Sequence, residues 1–136
     1  MRKMGLDLGD VRIGIALSDP MGIIANALEV YLRVERQKDL EHIVTLSKLH
    51  QVDTIVVGLP KNMDGSEGPR AEVTRQFGEE LKKLTDCRIT YLDERLSSVS
   101  AERLLIEADM RRDKRKTVID KVAAAIILQN YLDIHR

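Results

Sequence analysis

Apolar positions recur at every second residue through the first third of the chain. Met4, Leu6 and Leu8 share one parity, and Ile13, Ile15 and Leu17 share another beyond the Gly9-Asp10 turn, the period of half-buried strands. A third strand is expected from Ile24 to Tyr31, after the turn at Pro20-Met21-Gly22. The period then changes. Between Gln37 and Gln51, Leu40, Ile43, Leu46 and Leu49 fall at helical spacing, and Asp53 to Gly58 follows with the β-branched run Ile55-Val56-Val57, a helix feeding a buried strand. Leu59 to Gly68 reads as a polar loop. Pro69 suits the first turn of a helix with Val73, Phe77, Leu81 and Leu84 on one face. Ile89 to Leu92 is the next strand, and Ser97–Met110 and Thr117–Leu132 are two closing helices with Arg111 to Lys116 as the loop between them. The expected order is βββαβαβαα. It makes an α/β fold, a five-stranded mixed sheet of three antiparallel and two parallel strands with four flanking helices, because right-handed crossovers return the later strands beside the first.

Length and composition narrow this picture. At 136 residues the chain has room for one domain spanning 1–136, and 43% hydrophobic residues are enough for a core. The longest wholly apolar run, Val122 to Leu128, is far short of the ~20 residues of a membrane span. A soluble, cytoplasmic protein is expected, with no membrane partner. Cys87 is the single cysteine, which suits a reducing compartment. Acidic and basic residues number 22 each, so no global field draws in nucleic acid and any such partner must be held locally. With no Trp and one Phe, backbone contacts are expected ahead of base stacking.

Local chemistry concentrates at strand ends, where open α/β sheets place their sites. Asp7 interrupts the apolar strand Met4-Gly5-Leu6-Asp7-Leu8, a costly position for a carboxylate without a cation or donors, although capping the Gly9-Asp10 turn is the competing explanation. Asp93-Glu94-Arg95 follows the strand ending at Leu92. Thr117-Val118-Ile119-Asp120 fits a capping box, yet an acid on the first turn of the last helix also converges on the other two. Three clustered carboxylates repel, and bound Mg²⁺ or Mn²⁺ relieves them. Such a site suits two-metal phosphodiester cleavage.

Four blocks carry a resemblance. Gly5-Leu6-Asp7-Leu8-Gly9 through Ser18-Asp19, Val57-Gly58-Leu59-Pro60 through Pro69-Arg70, Leu92-Asp93-Glu94-Arg95-Leu96-Ser97, and Lys114-Arg115-Lys116 through Ala124 resemble, in order, the motifs of the YqgF/RuvX family of ribonuclease H-like nucleases. The resemblance implies a ribonuclease H-like fold, with Asp7, Glu94 and Asp120 as catalytic and metal-binding residues. It implies a nuclease that processes the 5′ end of pre-16S ribosomal RNA in ribosome biogenesis, or a Holliday junction resolvase acting on branched DNA.

Candidate phosphate contacts are Arg12, Lys61, Asn62 and Arg70, together with Arg111, Arg112, Lys114, Arg115 and Lys116 just ahead of the last helix. A solvated surface loop explains the same basic run equally well. The expected partner is pre-rRNA or branched DNA, bound by a monomer or a homodimer. Two other classes compete. A noncatalytic RNA-binding assembly factor would keep the fold without cleaving, and a phosphotransferase of the actin and sugar-kinase type would use Asp7-Leu8-Gly9 for phosphate but needs two such domains.

Overall fold

The alternating segments fold as strands that divide their side chains between two faces. In the computed structural model, residues 1–94 and 112–135 are described, the side chains of 112–121 excepted. The elements are β1 (Arg2–Leu8), β2 (Arg12–Ser18), β3 (Ala25–Leu32), α1 (Arg36–Leu49), β4 (Val52–Leu59), α2 (Pro69–Leu84), β5 (Arg88–Asp93) and α3 (Arg112–Ile134). The five strands form one sheet in the order β3-β2-β1-β4-β5. The β1–β2 and β2–β3 pairs are antiparallel and the β1–β4 and β4–β5 pairs parallel, which is the mixed sheet expected from the sequence.

Parity decides what each face carries. Met4, Leu6, Ile13, Ile15, Ile55 and Val57 pack with Leu40 and Ile43 of α1 and Phe77 and Leu81 of α2. Ala16 and Val56 face the other way, against Ala124, Ile127, Leu128, Tyr131 and Leu132 of α3. The α3 face of the sheet is built from small residues, so the helix sits close. A Cβ on Gly5 would lie 2.7 Å from the carbonyl oxygen of Ala124 and 2.8 Å from Leu128 Cβ, distances no relaxed side chain accepts. Leu132 lies beside Gly22, and the Gln129 side chain accepts from Ala25 N at 2.8 Å, so α3 runs antiparallel to β1.

The last helix differs from expectation at its start. Residues 112–116, read as a loop, are helical, because Arg and Lys are good helix formers and no Gly or Pro interrupts 111–121. Thr117 is therefore no N-cap, and Asp120 stands in the third turn of α3 rather than its first. The expected helix Ser97–Met110, Arg95 and Arg111 lie outside the described residues. Elsewhere the strand and helix boundaries move by one or two residues, as fraying ends do.

Because Gly5 meets the backbone of α3, Gly5→Ala should lower the free energy of unfolding by about 2 kcal/mol. A denaturant titration with an unchanged midpoint would show that α3 does not lie this close to β1.

Candidate active site

Asp7 is on the α3 face because it shares parity with Gly5, and its register partner on β2 is Gly14, which has no side chain to cover it. Glu94 reaches that face by the same rule. Leu92 packs into the α3-side cluster while Ile89 and Tyr91 pack into the other, so the residue two beyond Leu92 continues on the α3 face. Its backbone N–H donates to Leu59 O at 3.2 Å, extending the parallel ladder by one step.

Between them runs β4. Two strand spacings separate the Asp7 and Glu94 backbones by roughly 9.5 Å, and the gap is closed by the Glu94 side chain passing over Gly58. A Cβ on Gly58 would come within 2.5 Å of Glu94 Oε2 and of Ile127 Cδ1. The glycine is thus a channel for the carboxylate, a role that a glycine inside a buried strand only hints at in the sequence.

The result is two carboxyl groups close enough for the charge of one to act on the other. Burial comes first and the Asp7 charge second in pushing Glu94 up to about 7, while Arg70 pulls the other way. Arg70 stands on the first turn of α2, whose N-terminus adds favourable potential for anions. A cleft of about 320 Å³ opens beside the pair, lined among others by Asp7, Gly9, Asp10, Arg12 and Arg70. Arg12 and Arg70, two of the expected phosphate contacts, are thereby brought to Asp7.

Asp120 is placed by its backbone alone. It lies one turn before Ala124, whose carbonyl sits over Gly5, and on an antiparallel helix that turn leads toward Asp7. Four helical residues rise about 6 Å and two strand residues about 6.8 Å, so the α3 backbone at Asp120 lies toward the same end of the sheet as Asp7. Among residues with described side chains no three His, Cys, Asp or Glu form a metal-holding group; Asp7 and Glu94 supply two hard oxygen donors.

The remaining candidates are dispersed. Asn62 shapes its own loop, its amide donating to Ser66 Oγ at 3.0 Å and its backbone N–H to Ser66 O at 2.9 Å. Asp64 accepts from Ser66 N and Oγ in the same loop. Glu67 is gripped by Arg75 at 2.6 and 2.9 Å, and the Arg75 guanidinium, with a smaller effect from Lys61, holds its carboxyl below the usual range. The basic residues Arg112, Lys114, Arg115 and Lys116 stand on the first turns of α3. A surface groove of about 750 Å³ between α1 and α2 is lined among others by Glu67, Glu72, Glu79 and Glu80. Its two guanidinium groups, Arg36 and Arg75, are already paired with Glu80 and Glu67, so it offers a polyanion nothing.

Two residues that carry no motif support the cleft. Asp39 is 1% exposed and accepts from Arg33 Nε at 2.8 Å and Val34 N at 3.0 Å. Burial opposes its charge, but those donors and the Tyr31 hydroxyl outweigh burial and keep its carboxyl below the usual range. Arg33 in turn donates from Nη1 to Gly9 O at 2.9 Å, and Gly9 N donates to Arg12 O at 2.8 Å. The β1–β2 turn that carries Asp10 and Arg12 is therefore tied to a buried ion pair. An acid within an amphipathic helix was the one sequence signal for it.

The Asp7–Glu94 contact has a pH signature. Folding holds Glu94 near 7 against an ordinary value of 4.5, so its contribution to stability is full below about pH 4.5 and is lost as pH rises through 7. In chelator-treated buffer, moving from about pH 5 to about pH 8 should cost the wild type roughly 2 kcal/mol more than Glu94→Gln. Gly58→Ala, which blocks the carboxylate's path, should shrink that difference. Denaturant titrations whose pH dependence is the same in all three proteins would remove the carboxylate contact.

Comparison with known proteins identifies the family. The model of the family described as "RuvX: Holliday junction resolvase" matches residues 1–134. A protein of Halothermothrix orenii named "Putative pre-16S rRNA nuclease" is 58% identical over 133 residues, covering 98% of this chain and 95% of that protein. One of the same name from Halalkalibacterium halodurans is 54% identical over 135 residues, covering 98% and 96%. Among solved structures, Thermus thermophilus RuvC in complex with a Holliday junction substrate aligns with a TM-score of 0.63 at 11% identity, covering 99% of this chain and 96% of that one. The fowlpox virus Holliday junction resolvase aligns with a TM-score of 0.57 at 11% identity, covering 98% and 99%. At such identity these two structures speak for the fold, which is the ribonuclease H-like one expected. Matched along nearly its whole length by the family model and by relatives of more than half identical sequence, the chain belongs to the RuvX Holliday junction resolvase family.

Proposed function

We propose that this protein is a metal-dependent nuclease that hydrolyses phosphodiester bonds, with the 5′ end of pre-16S ribosomal RNA as its substrate and the cytoplasm as its place of action. The observation that carries the reading is the Glu94 carboxyl drawn over Gly58 onto Asp7. Two like charges are brought together at the end of a sheet, where a divalent cation is the natural counter-charge. Hard carboxylate oxygens suit Mg²⁺ or Mn²⁺, and Asp7, Glu94 and Asp120 would hold it. When bound, such an ion lowers the pKa of an attacking water and offsets charge on the leaving oxygen.

The chain's own residues do the rest. Burial and the Asp7 charge hold the Glu94 carboxyl near 7, so Asp7 and Glu94 would hold a divalent cation more firmly as pH rises through neutrality. Arg70 and Arg12 face the cleft that Asp7 lines and hold a phosphate there by charge-assisted hydrogen bonds. Lys61 and the basic residues Arg111, Arg112, Lys114, Arg115 and Lys116 contact flanking phosphates, while Asn62 acts through the shape of its loop. A second reading, cleavage of a four-way DNA junction, is favoured by the description of the matching family.

Cleavage of an RNA spanning the 5′ end of 16S rRNA should require Mg²⁺ or Mn²⁺ and fall at least about a hundredfold in Asp7→Asn. A four-way junction assayed in parallel separates the two substrates. The same ions should raise the melting temperature of the wild type at about pH 8 and leave that of Asp7→Asn unmoved. Equal cleavage by both proteins would remove Asp7 from the reaction and the proposal with it.

A further inference from the structure

Beside the cleft lies a smaller cavity of about 130 Å³, between the β1–β2 turn and the first two turns of α2. Leu8, Pro69 and Val73 form its apolar wall, and Arg33 and Arg70 its cationic one. Gly9, Asp10 and Arg70 line both spaces, so a strand whose phosphate rests in the cleft carries its neighbouring nucleotide to the cavity mouth. The volume equals that of about four waters, room for a flat heterocycle and too little for a whole nucleotide.

We infer that this cavity receives one base of the substrate strand, next to the phosphate held by Arg12 and Arg70 in the cleft that Asp7 lines. The inference rests on the nuclease reading of the cleft and deepens it. Its main support is the state of Arg33. Asp39 and Gly9 O fix the edges of the guanidinium, and Phe77 lies behind it with the ring centroid 5.7 Å away. A guanidinium immobilised in this way offers a flat surface on which a base stacks without further loss of side-chain freedom. Phe77 is 1% exposed and cannot meet a base itself, so Arg33 presents a stacking surface in a chain nearly without aromatic residues. Val73 gives the second argument. It is an apolar side chain left 50% exposed at the cavity wall, and a base entering there covers it. A second phosphate fits less well, because the wall is apolar on one side and Asp10 stands at the junction with the cleft.

The test uses the full chain and a short probe. A 5′-phosphorylated dinucleotide and the same molecule lacking one base are titrated in Ca²⁺ while the amide signals of Gly9, Val73 and Thr74 are followed by NMR. The base should tighten binding about tenfold. Val73→Trp, which fills the cavity from an exposed position, should reduce that ratio to about one, and Val73→Ala should keep most of it. Equal affinity of the two probes for the wild type overturns the inference, whatever Val73→Trp does. Inorganic phosphate shifting the Val73 and Thr74 signals as far as the dinucleotide does also overturns it, since the cavity would then be an anion subsite. Cleavage of the rRNA substrate, measured alongside, keeps the two readings apart. A base preference without cleavage sinks the nuclease and leaves the cavity, whereas cleavage without a base preference does the reverse.

Discussion

Two carboxyl groups pressed together repel once both are ionised, and the shape of the candidate site depends on what holds Asp7 and Glu94 together despite that. Strand spacing sets them two strands apart, and the missing side chain at Gly58 lets one cross to the other. Ile127 of α3 closes over the same point, so the carboxylate is confined from above by apolar packing. Burial and the neighbouring Asp7 charge together push the Glu94 carboxyl up to about 7, well above its ordinary value.

The sheet divides labour between its faces. One face is filled with branched and aromatic side chains against α1 and α2, while the other carries Gly5, Ala16 and Gly58 beside Val56 and accepts α3 at close range where the glycines lie. A helix that rides close to the sheet brings its backbone near the strands, and the turn of α3 before Ala124 leads toward the Asp7 end of β1. The same helix begins several residues earlier than the capping pattern implies. The basic run from Arg112 to Lys116 is then part of a regular element rather than a loop.

The turn after Asp7 is held from the opposite face. Asp39, Arg33 and the Gly9 carbonyl form a chain of hydrogen bonds from a buried helix position to the rim of the cleft. Removing either partner of a buried pair leaves the other uncompensated, so the geometry of the cleft and stability are linked at these residues. Arg33 also links the cleft to its neighbouring cavity, since it braces the turn through Gly9 O and lines the cavity.

Sequence by itself determined the order of the described strands and helices and the sheet's mixed character, and it singled out the acids at positions 7, 94 and 120 as candidates, because hydrophobic period and motif spacing are local properties of the chain. Arg12 and Arg70 were legible as basic residues near those motifs. What only the tertiary structure decided were contacts between residues distant in sequence: Gly58 as the passage for Glu94, and Asp39 and Arg33 as the brace of the β1–β2 turn. The hydrogen bonds that tie Asn62 to Ser66 of its own loop were equally hidden. None of these has a local signature, since a glycine in a strand or an acid in a helix looks the same whether it faces solvent or a neighbour. Burial and charge acquire their consequences only when folding chooses which side chains share a space, and that choice is what raises Glu94 toward neutrality.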